Sequence, residues 1–319
     1  GRVRFLTGNL EASRTGVRFI DSDLNRHWTR ENILRNSAAA TVGPACEDKE
    51  QVELLQIVRD ILQSATDEVY VLDLHSTSAG GAPFATVGDT MRNRRFAMKF
   101  PATILLGIEE QLDGTLLEFL NNEGAVTLGF EAGQHDDPAS VDNHEALVML
   151  ALIHSGIILK DDLQGFEKFE HRLLAAMPRH KIIEIRHREP VRPEQGFQMA
   201  PGFVNFDPVR KGQILAKDRS GEIVSPESGL IMMPLYQSKG EDGFFIARPV
   251  AGFWLKLSAM LRRFDAARLM RFLPGVSRVP EYPERFKVDT RIARFFPLQI
   301  FDLLGFRRLR RNENFLVVS

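Results

Sequence analysis

Val69–His75 reads VYVLDLH and Ala125–Glu131 reads AVTLGFE. Each is an apolar, β-favouring run that closes on one ionisable side chain, His75 in the first and Glu131 in the second. Continuous apolar runs of this length predict strands buried on both faces, as in a parallel sheet. Ala102–Ile108 reads as another such strand. Between them the period changes. Glu47–Gln63 carries Val52, Leu54, Leu55, Ile57, Val58, Ile61 and Leu62 in an amphipathic helical pattern, and Gly114–Asn121 and Asp142–Ser155 read as further helices. Strands separated by helical crossovers predict an α/β fold, a mostly parallel sheet sandwiched by helices. In such sheets chemistry gathers at the carboxyl ends of the strands, where both His75 and Glu131 fall.

Outward from this centre, Gly1–Asn9 alternates around Val3, Phe5 and Leu6 and predicts a strand entering a turn. Leu163–Met177 reads as a linking helix. After it, Pro193, Gly196, Pro201, Gly202, Pro208, Gly212, Gly221, Pro226 and Gly229 punctuate short apolar runs, which predicts a smaller β-rich region. From Trp254 the chain reads as helical and basic, with Arg262, Arg263, Arg268 and Arg271. The organisation expected is an α/β catalytic domain over 1–160, a linker helix and β-rich domain over 161–250, and a helical, basic extension over 251–319 that packs back on the fold.

The bulk numbers exclude several classes. With 319 residues, 26% charged and a formal net charge of -1, no global field draws the chain to nucleic acid or an anionic membrane. No apolar run approaches the length that spans a bilayer. One cysteine, Cys46, cannot form an internal disulfide, which fits a reducing, cytoplasmic setting. The basic run Arg307–Arg311 reads as a solvated face, and Met232 and Met233 as core fillers.

Two polar segments accompany Glu131. Arg18-Phe19-Ile20-Asp21-Ser22-Asp23-Leu24-Asn25-Arg26 concentrates guanidiniums, an amide and carboxylates in one loop. It reads either as a self-paired charged loop or as a seat for a carboxylate, since Arg presents a planar fork and Asn both a donor and an acceptor. Asp73-Leu74-His75-Ser76-Thr77 places an imidazole at a strand end, with Asp73 on the same face two residues earlier. Asp73 is a candidate orienter of His75, or a partner for the Arg18–Arg26 loop.

In order and spacing, RFIDSDLNR, DLHST and GFEAG resemble the succinylglutamate desuccinylase/aspartoacylase family, a branch of the zinc carboxypeptidase-like fold. The resemblance runs from Gly1 to about Gln134 at motif level, and the β-rich region up to Pro249 suits the family's smaller C-terminal domain. It implies a zinc-dependent deacylase that cleaves the amide bond of an N-acyl amino acid or related small molecule with metal-activated water. By resemblance, His75 is a Zn2+ ligand, Glu131 the base and acid, Arg18 the group that polarises the scissile carbonyl, and Asn25 and Arg26 the substrate-carboxylate clamp. The implied partner is a small molecule, with no nucleic acid or membrane, and self-association is left open. A zinc carboxypeptidase acting on peptides and a metal-free small-carboxylate binder are the alternative readings.

Two departures stand against the family pattern. The family draws its other zinc ligands from a His-x-x-Glu segment, and no such spacing occurs in this chain. Because the chain opens in what reads as mid-fold sequence, those ligands are expected upstream of Gly1. The second concerns substrate. Asn121-Asn122-Glu123 stands where aspartoacylase-like members carry a further arginine, and Gly240–Phe245 offers Phe244 and Phe245 rather than a tyrosine. A substrate less acidic or larger than N-acetylaspartate is therefore expected.

Overall fold

The computed structural model describes residues 1–38, 45–109, 111–178, 181–237, 239–251, 253, 260, 275–279, 282–289, 308–312 and 315–318. Three helices come first: α1 (Leu10–Thr15), α2 (Arg30–Ala38) and α3 (Cys46–Ser64). They are followed by β1 (Tyr70–Thr77), β2 (Phe84–Thr86), α4 (Met91–Ala97), β3 (Thr103–Leu106), α5 (Leu116–Asn122), β4 (Val126–Gln134) and α6 (Pro138–His154). Next come α7 (Phe166–Ala176), β5 (Ile182–Pro190), β6 (Gln198–Met199), β7 (Pro208–Val209), β8 (Ile214–Asp218), β9 (Gly221–Val224), β10 (Gly229–Met232) and β11 (Asp242–Pro249).

Eight strands form one sheet in the order β1-β4-β2-β3-β5-β11-β10-β7. In its first half β1/β4, β2/β3 and β3/β5 pair parallel and β2/β4 antiparallel, so this half is mostly parallel, with helices alternating along the chain. Beyond β5 every pairing is antiparallel. The Gly/Pro-rich region thus extends the central sheet through β11, β10 and β7, while β6, β8 and β9 form a separate three-stranded antiparallel sheet.

Local chemistry explains the helix boundaries. Asp137 caps α6 by accepting from the Ala139 N–H, with Pro138 in the first turn, where its missing donor is harmless. Thr115 caps α5 through the Glu118 N–H. The sheet's core is a cluster of Phe84, Leu105, Ile183, Ile185, Met232, Phe245 and Ala247, which joins β2, β3, β5, β10 and β11. Met232 is fully buried there, as core fillers are.

Two expectations meet a different outcome, and a third is not covered by the described residues. Residues 1–7 form no strand and are exposed, because alternation alone does not make a strand without a partner to take its hydrogen bonds. β1 lies at the sheet's edge, so its apolar run is mostly half-buried instead of enclosed. The helical, basic stretch from Trp254, with Arg262, Arg263, Arg268 and Arg271, lies almost entirely outside the described residues.

Residues 1–88 and 92–249 make one compact unit, and Asp89–Met91 with Val250–Ser319 make a second. The second contains an antiparallel sheet in the order β12-β13-β15-β14, from β12 (Val276–Val279), β13 (Tyr282–Asp289), β14 (Arg308–Asn312) and β15 (Phe315–Val318). Among the described residues, no helix is long and apolar enough to cross a membrane.

Candidate active site

β1 and β4 run parallel with His75 directly opposite Glu131, so the two ionisable strand ends share one rim. The register shifts just after His75, between His75 and Thr77, and such a shift re-aims the side chains around it. From α6, the His144 Nε2–H donates to the His75 carbonyl at 2.9 Å, and Asn143 Nδ2 donates to the Ala132 carbonyl at 2.8 Å. Both strand ends are thereby pinned from one helix.

Asp73 Oδ2 lies 2.9 Å from His75 Nε2, so Asp73 orients the imidazole. The approach is an ion pair without hydrogen-bond alignment, since the buried Nε2 has no hydrogen-bond partner. The Asp73 carboxylate raises the His75 pKa to about 9, helped by Glu131 and opposed by burial and by Arg18. Glu131 Oε2 is buried and also without a hydrogen-bond partner. Burial pushes the Glu131 carboxyl up to about 7, with His75 and Arg18 pulling down and Asp73 pushing up. A carboxyl held near neutrality is suited to accept and return a proton.

Arg18 therefore shares the electrostatic neighbourhood of His75 and Glu131. Its Nε and Nη2 donate to Asp23 Oδ2 at 3.1 and 2.9 Å. Burial raises the Asp23 pKa, but Arg18, Arg26 and the Asn25 N–H together bring it below the ordinary carboxylate value. Asn25 Oδ1 accepts from the Leu116 N–H at 2.9 Å, tying the loop to the start of α5.

What shapes the loop is a buried carboxylate beneath it. Glu47, at the start of α3, is fully buried. Its Oε1 accepts from Ile20 N at 2.7 Å and Asn9 Nδ2 at 3.0 Å, and its Oε2 from Asp21 N at 3.1 Å and Ser22 N at 3.2 Å. In return, Asp21 Oδ2 accepts from the Cys46 N–H at 2.7 Å. Asp48 does the same for the loop's exit: its Oδ1 lies 2.7 Å from His27 Nε2 and 2.8 Å from both Arg35 Nη2 and Asn36 Nδ2. Gln51 Nε2 donates to the His27 carbonyl at 2.6 Å. These buried polar groups satisfy one another, as buried groups must.

Arg26 is engaged by the far half of the sheet. Its Nη2 donates to Asp242 Oδ2 at 2.8 Å and its Nη1 to the Asn25 carbonyl at 2.9 Å. Arg188 of β5 donates through Nε to the other oxygen of Asp242 at 2.5 Å and through Nη1 to the Gln111 carbonyl at 2.7 Å. Phe244 and Phe245 beside Asp242 are buried core residues, and the Tyr236 hydroxyl donates to the Ala200 carbonyl.

A catalytic zinc takes three protein ligands and keeps one open position. Among the described residues no group of three His, Cys, Asp or Glu side chains converges to hold a metal. His75 can supply one ligand, and these residues do not complete a zinc site.

His75, Glu131 and Arg18 thus come together, while Asn25 and Arg26 follow on the same loop with partners of their own. Glu47, Asp48, His27, Arg188 and Asp242 were missed from sequence. A cue existed for the first two, adjacent acids in the first turn of an amphipathic helix, but that position also favours acids in exposed helices through the helix dipole.

An acid and an imidazole thus share the rim of an α/β sheet, with the arginine of the 18–26 loop in their electrostatic neighbourhood. Residues 1–155 match the succinylglutamate desuccinylase/aspartoacylase catalytic domain. No curated protein matches the chain. Among solved structures, succinylglutamate desuccinylase/aspartoacylase from Rhodobacter sphaeroides is similar at TM-score 0.54 and 16% identity, covering 77% of this chain and 74% of that one. The product-bound ectoine utilization protein of Ruegeria pomeroyi is similar at TM-score 0.52 and 18% identity, covering 76% and 72%. Murine aminoacylase 3 follows at 0.50 and 15%, covering 76% and 82%. At these identities the likeness shows the shared fold.

Proposed function

We propose that this protein is an amide hydrolase that deacylates an N-acyl amino acid or a related small molecule. The observation that carries the reading is Glu131: a half-buried side chain at the sheet rim, in register with His75, whose buried Oε2 has no hydrogen-bond partner and whose pKa is raised to about 7. The match of residues 1–155 to the family's catalytic domain and the solved relatives' names, which include desuccinylase and aminoacylase, support it.

In this reading Glu131 takes the proton from the attacking water and returns it to the leaving amine. The Arg18 guanidinium meets the negative charge that develops on the carbonyl oxygen. Asn25 keeps its amide N–H groups for the ligand, because its oxygen is spent on Leu116. Asp73 fixes the His75 ring through their ion pair. Zinc belongs to the proposal, with His75 as one ligand, and would supply Lewis acidity toward the carbonyl and the water. The single cysteine supports a cytoplasmic setting.

One observation favours a second reading, a metal-free binder of small carboxylates: two guanidiniums, Arg26 and Arg188, form a carboxylate seat, filled here by the chain's own Asp242, which a ligand carboxylate would have to replace. Turnover of a panel of N-acyl amino acids, together with metal analysis of the purified protein, separates the two. Hydrolysis with stoichiometric zinc supports the hydrolase; carboxylate binding without either supports the binder.

A further inference from the structure

We infer that Asp242 is a built-in occupant of the carboxylate seat formed by Arg26 and Arg188, and that it sets which ligands the site accepts. The inference rests on the reading of Arg18–Arg26 as the ligand loop.

The seat is assembled by strand geometry. Asp242 opens β11 opposite Pro190 of β5, and Arg188 lies two residues before Pro190, hence on the same strand face. The register shifts between Asp242 and Phe244, with Gly243 in the bulge. A Cβ at Gly243 would come within 2.6 Å of the Phe197 ring and 2.9 Å of Val191, so glycine keeps this turn tight. The bulge presents Asp242 to both guanidiniums, one oxygen to each.

The arrangement is desolvated. Side-chain exposure is 16% for Arg26, 14% for Asp242 and 26% for Arg188. Two guanidiniums this close need an anion between them, and paired charges in such a place resist loss of either partner. Arg188 is further fixed on the Gln111 carbonyl and Arg26 on the Asn25 carbonyl. The other nearby acid, Glu241, lies 3.9 Å from Arg26 Nε and is more exposed. Planar forks of this kind bind carboxylates generally, whether they belong to the chain or to a ligand. Arg26 Nε is buried without a hydrogen-bond partner, and a ligand carboxylate that takes the Nη2 position beside it must displace Asp242. The wild-type site then holds the free carboxylate of an N-acyl amino acid only weakly at that end, and binds a related small molecule whose group there is uncharged more tightly. The selection comes from an internal competitor and adds no repulsive contact elsewhere.

Calorimetric titration of the full chain with N-acetylglycine and with its uncharged amide tests this. The expected result is weak wild-type binding of N-acetylglycine, at least tenfold tighter binding in Asp242→Asn, little change for the amide, and loss of the gain in Asp242→Asn/Arg188→Gln. Unchanged or weaker N-acetylglycine binding by folded Asp242→Asn overturns the inference. Where that variant does not fold, the wild-type titration decides: micromolar N-acetylglycine binding overturns the inference, and binding at least tenfold weaker than that of the amide upholds it. Hydrolysis of the N-acyl panel is scored separately. Hydrolysis without the Asp242→Asn gain therefore sinks this inference alone, and the gain without hydrolysis sinks the enzymatic reading alone.

Discussion

Replacing Glu47 by Gln changes one oxygen of a fully buried carboxylate into an amide nitrogen at nearly constant volume. The Oε1 position can keep its two donors, Ile20 N and Asn9 Nδ2. The Oε2 position cannot: the new amide presents hydrogens to the Asp21 and Ser22 N–H groups, which are themselves donors. Two hydrogen bonds to a charged acceptor are lost, each worth about 1.5–3 kcal/mol, and the remaining pair loses its charge assistance. Relaxation of the loop recovers part of this, so a net loss of about 2–4 kcal/mol is expected. Urea unfolding of wild type and Glu47→Gln at neutral pH measures it, with an unchanged slope as the check that both unfold from the same compact state. Glu50→Gln is the control: Glu50 accepts only a long, exposed bond from Glu11 N at 3.4 Å, and its loss should stay within about 0.5 kcal/mol. The pH dependence follows in sign. Burial raises the Glu47 pKa, but the hydrogen bonds from Ile20, Asn9, Asp21 and Ser22 outweigh it and leave it below 4.5. A depressed carboxyl stabilises the fold fully above pH 4.5, and that contribution disappears as pH falls through the folded-state value. Glu47→Gln should flatten wild-type stability loss in that acid range. A neutral-pH loss below about 1 kcal/mol would refute the idea that Glu47 shapes the loop.

Two further outcomes test the loop as a ligand element. Gly114 has φ +70, in the left-handed region that favours glycine, and a Cβ there would lie 2.4 Å from the Arg26 carbonyl oxygen. Gly114→Ala should therefore displace Arg26, destabilise the fold by about 1–3 kcal/mol in urea unfolding and weaken substrate binding, whereas unchanged KM would separate Arg26 from the ligand. Arg18→Gln removes the cation proposed to meet the developing oxyanion. It should lower kcat about 100-fold or more with a smaller change in KM, and a loss confined to KM would make Arg18 a ground-state binding group.

What was legible in the chain follows from how each feature is encoded. VYVLDLH and AVTLGFE carry their structure locally, in apolar runs that only strands bury well, and β1 and β4 appear where these runs lie. The half-exposure of β1 was not legible, because edge position is decided by which strand remains unpaired. β2 and α4 span three and seven residues, too few to show a period. The rim was half legible. His75 and Glu131 mark strand ends, but their exact pairing, His75 to Glu131 in register, is a tertiary fact. Glu47, Asp48 and His27 look like ordinary polar residues, and only long-range hydrogen bonds across 21 to 38 residues reveal them as the loop's support. Asp242 is further still, 216 residues from the arginine it holds.

The central claim is that Glu131 moves the proton in amide hydrolysis. Its most direct test is the turnover of N-acyl amino acids by wild type and by Glu131→Gln, with binding of a non-hydrolysed analogue measured in parallel. The prediction is that wild type turns over at least one member of the panel, and that Glu131→Gln loses about 100- to 10,000-fold in kcat while still binding the analogue. Hydrolysis by Glu131→Gln at a rate near wild type, with the fold intact, would contradict the account.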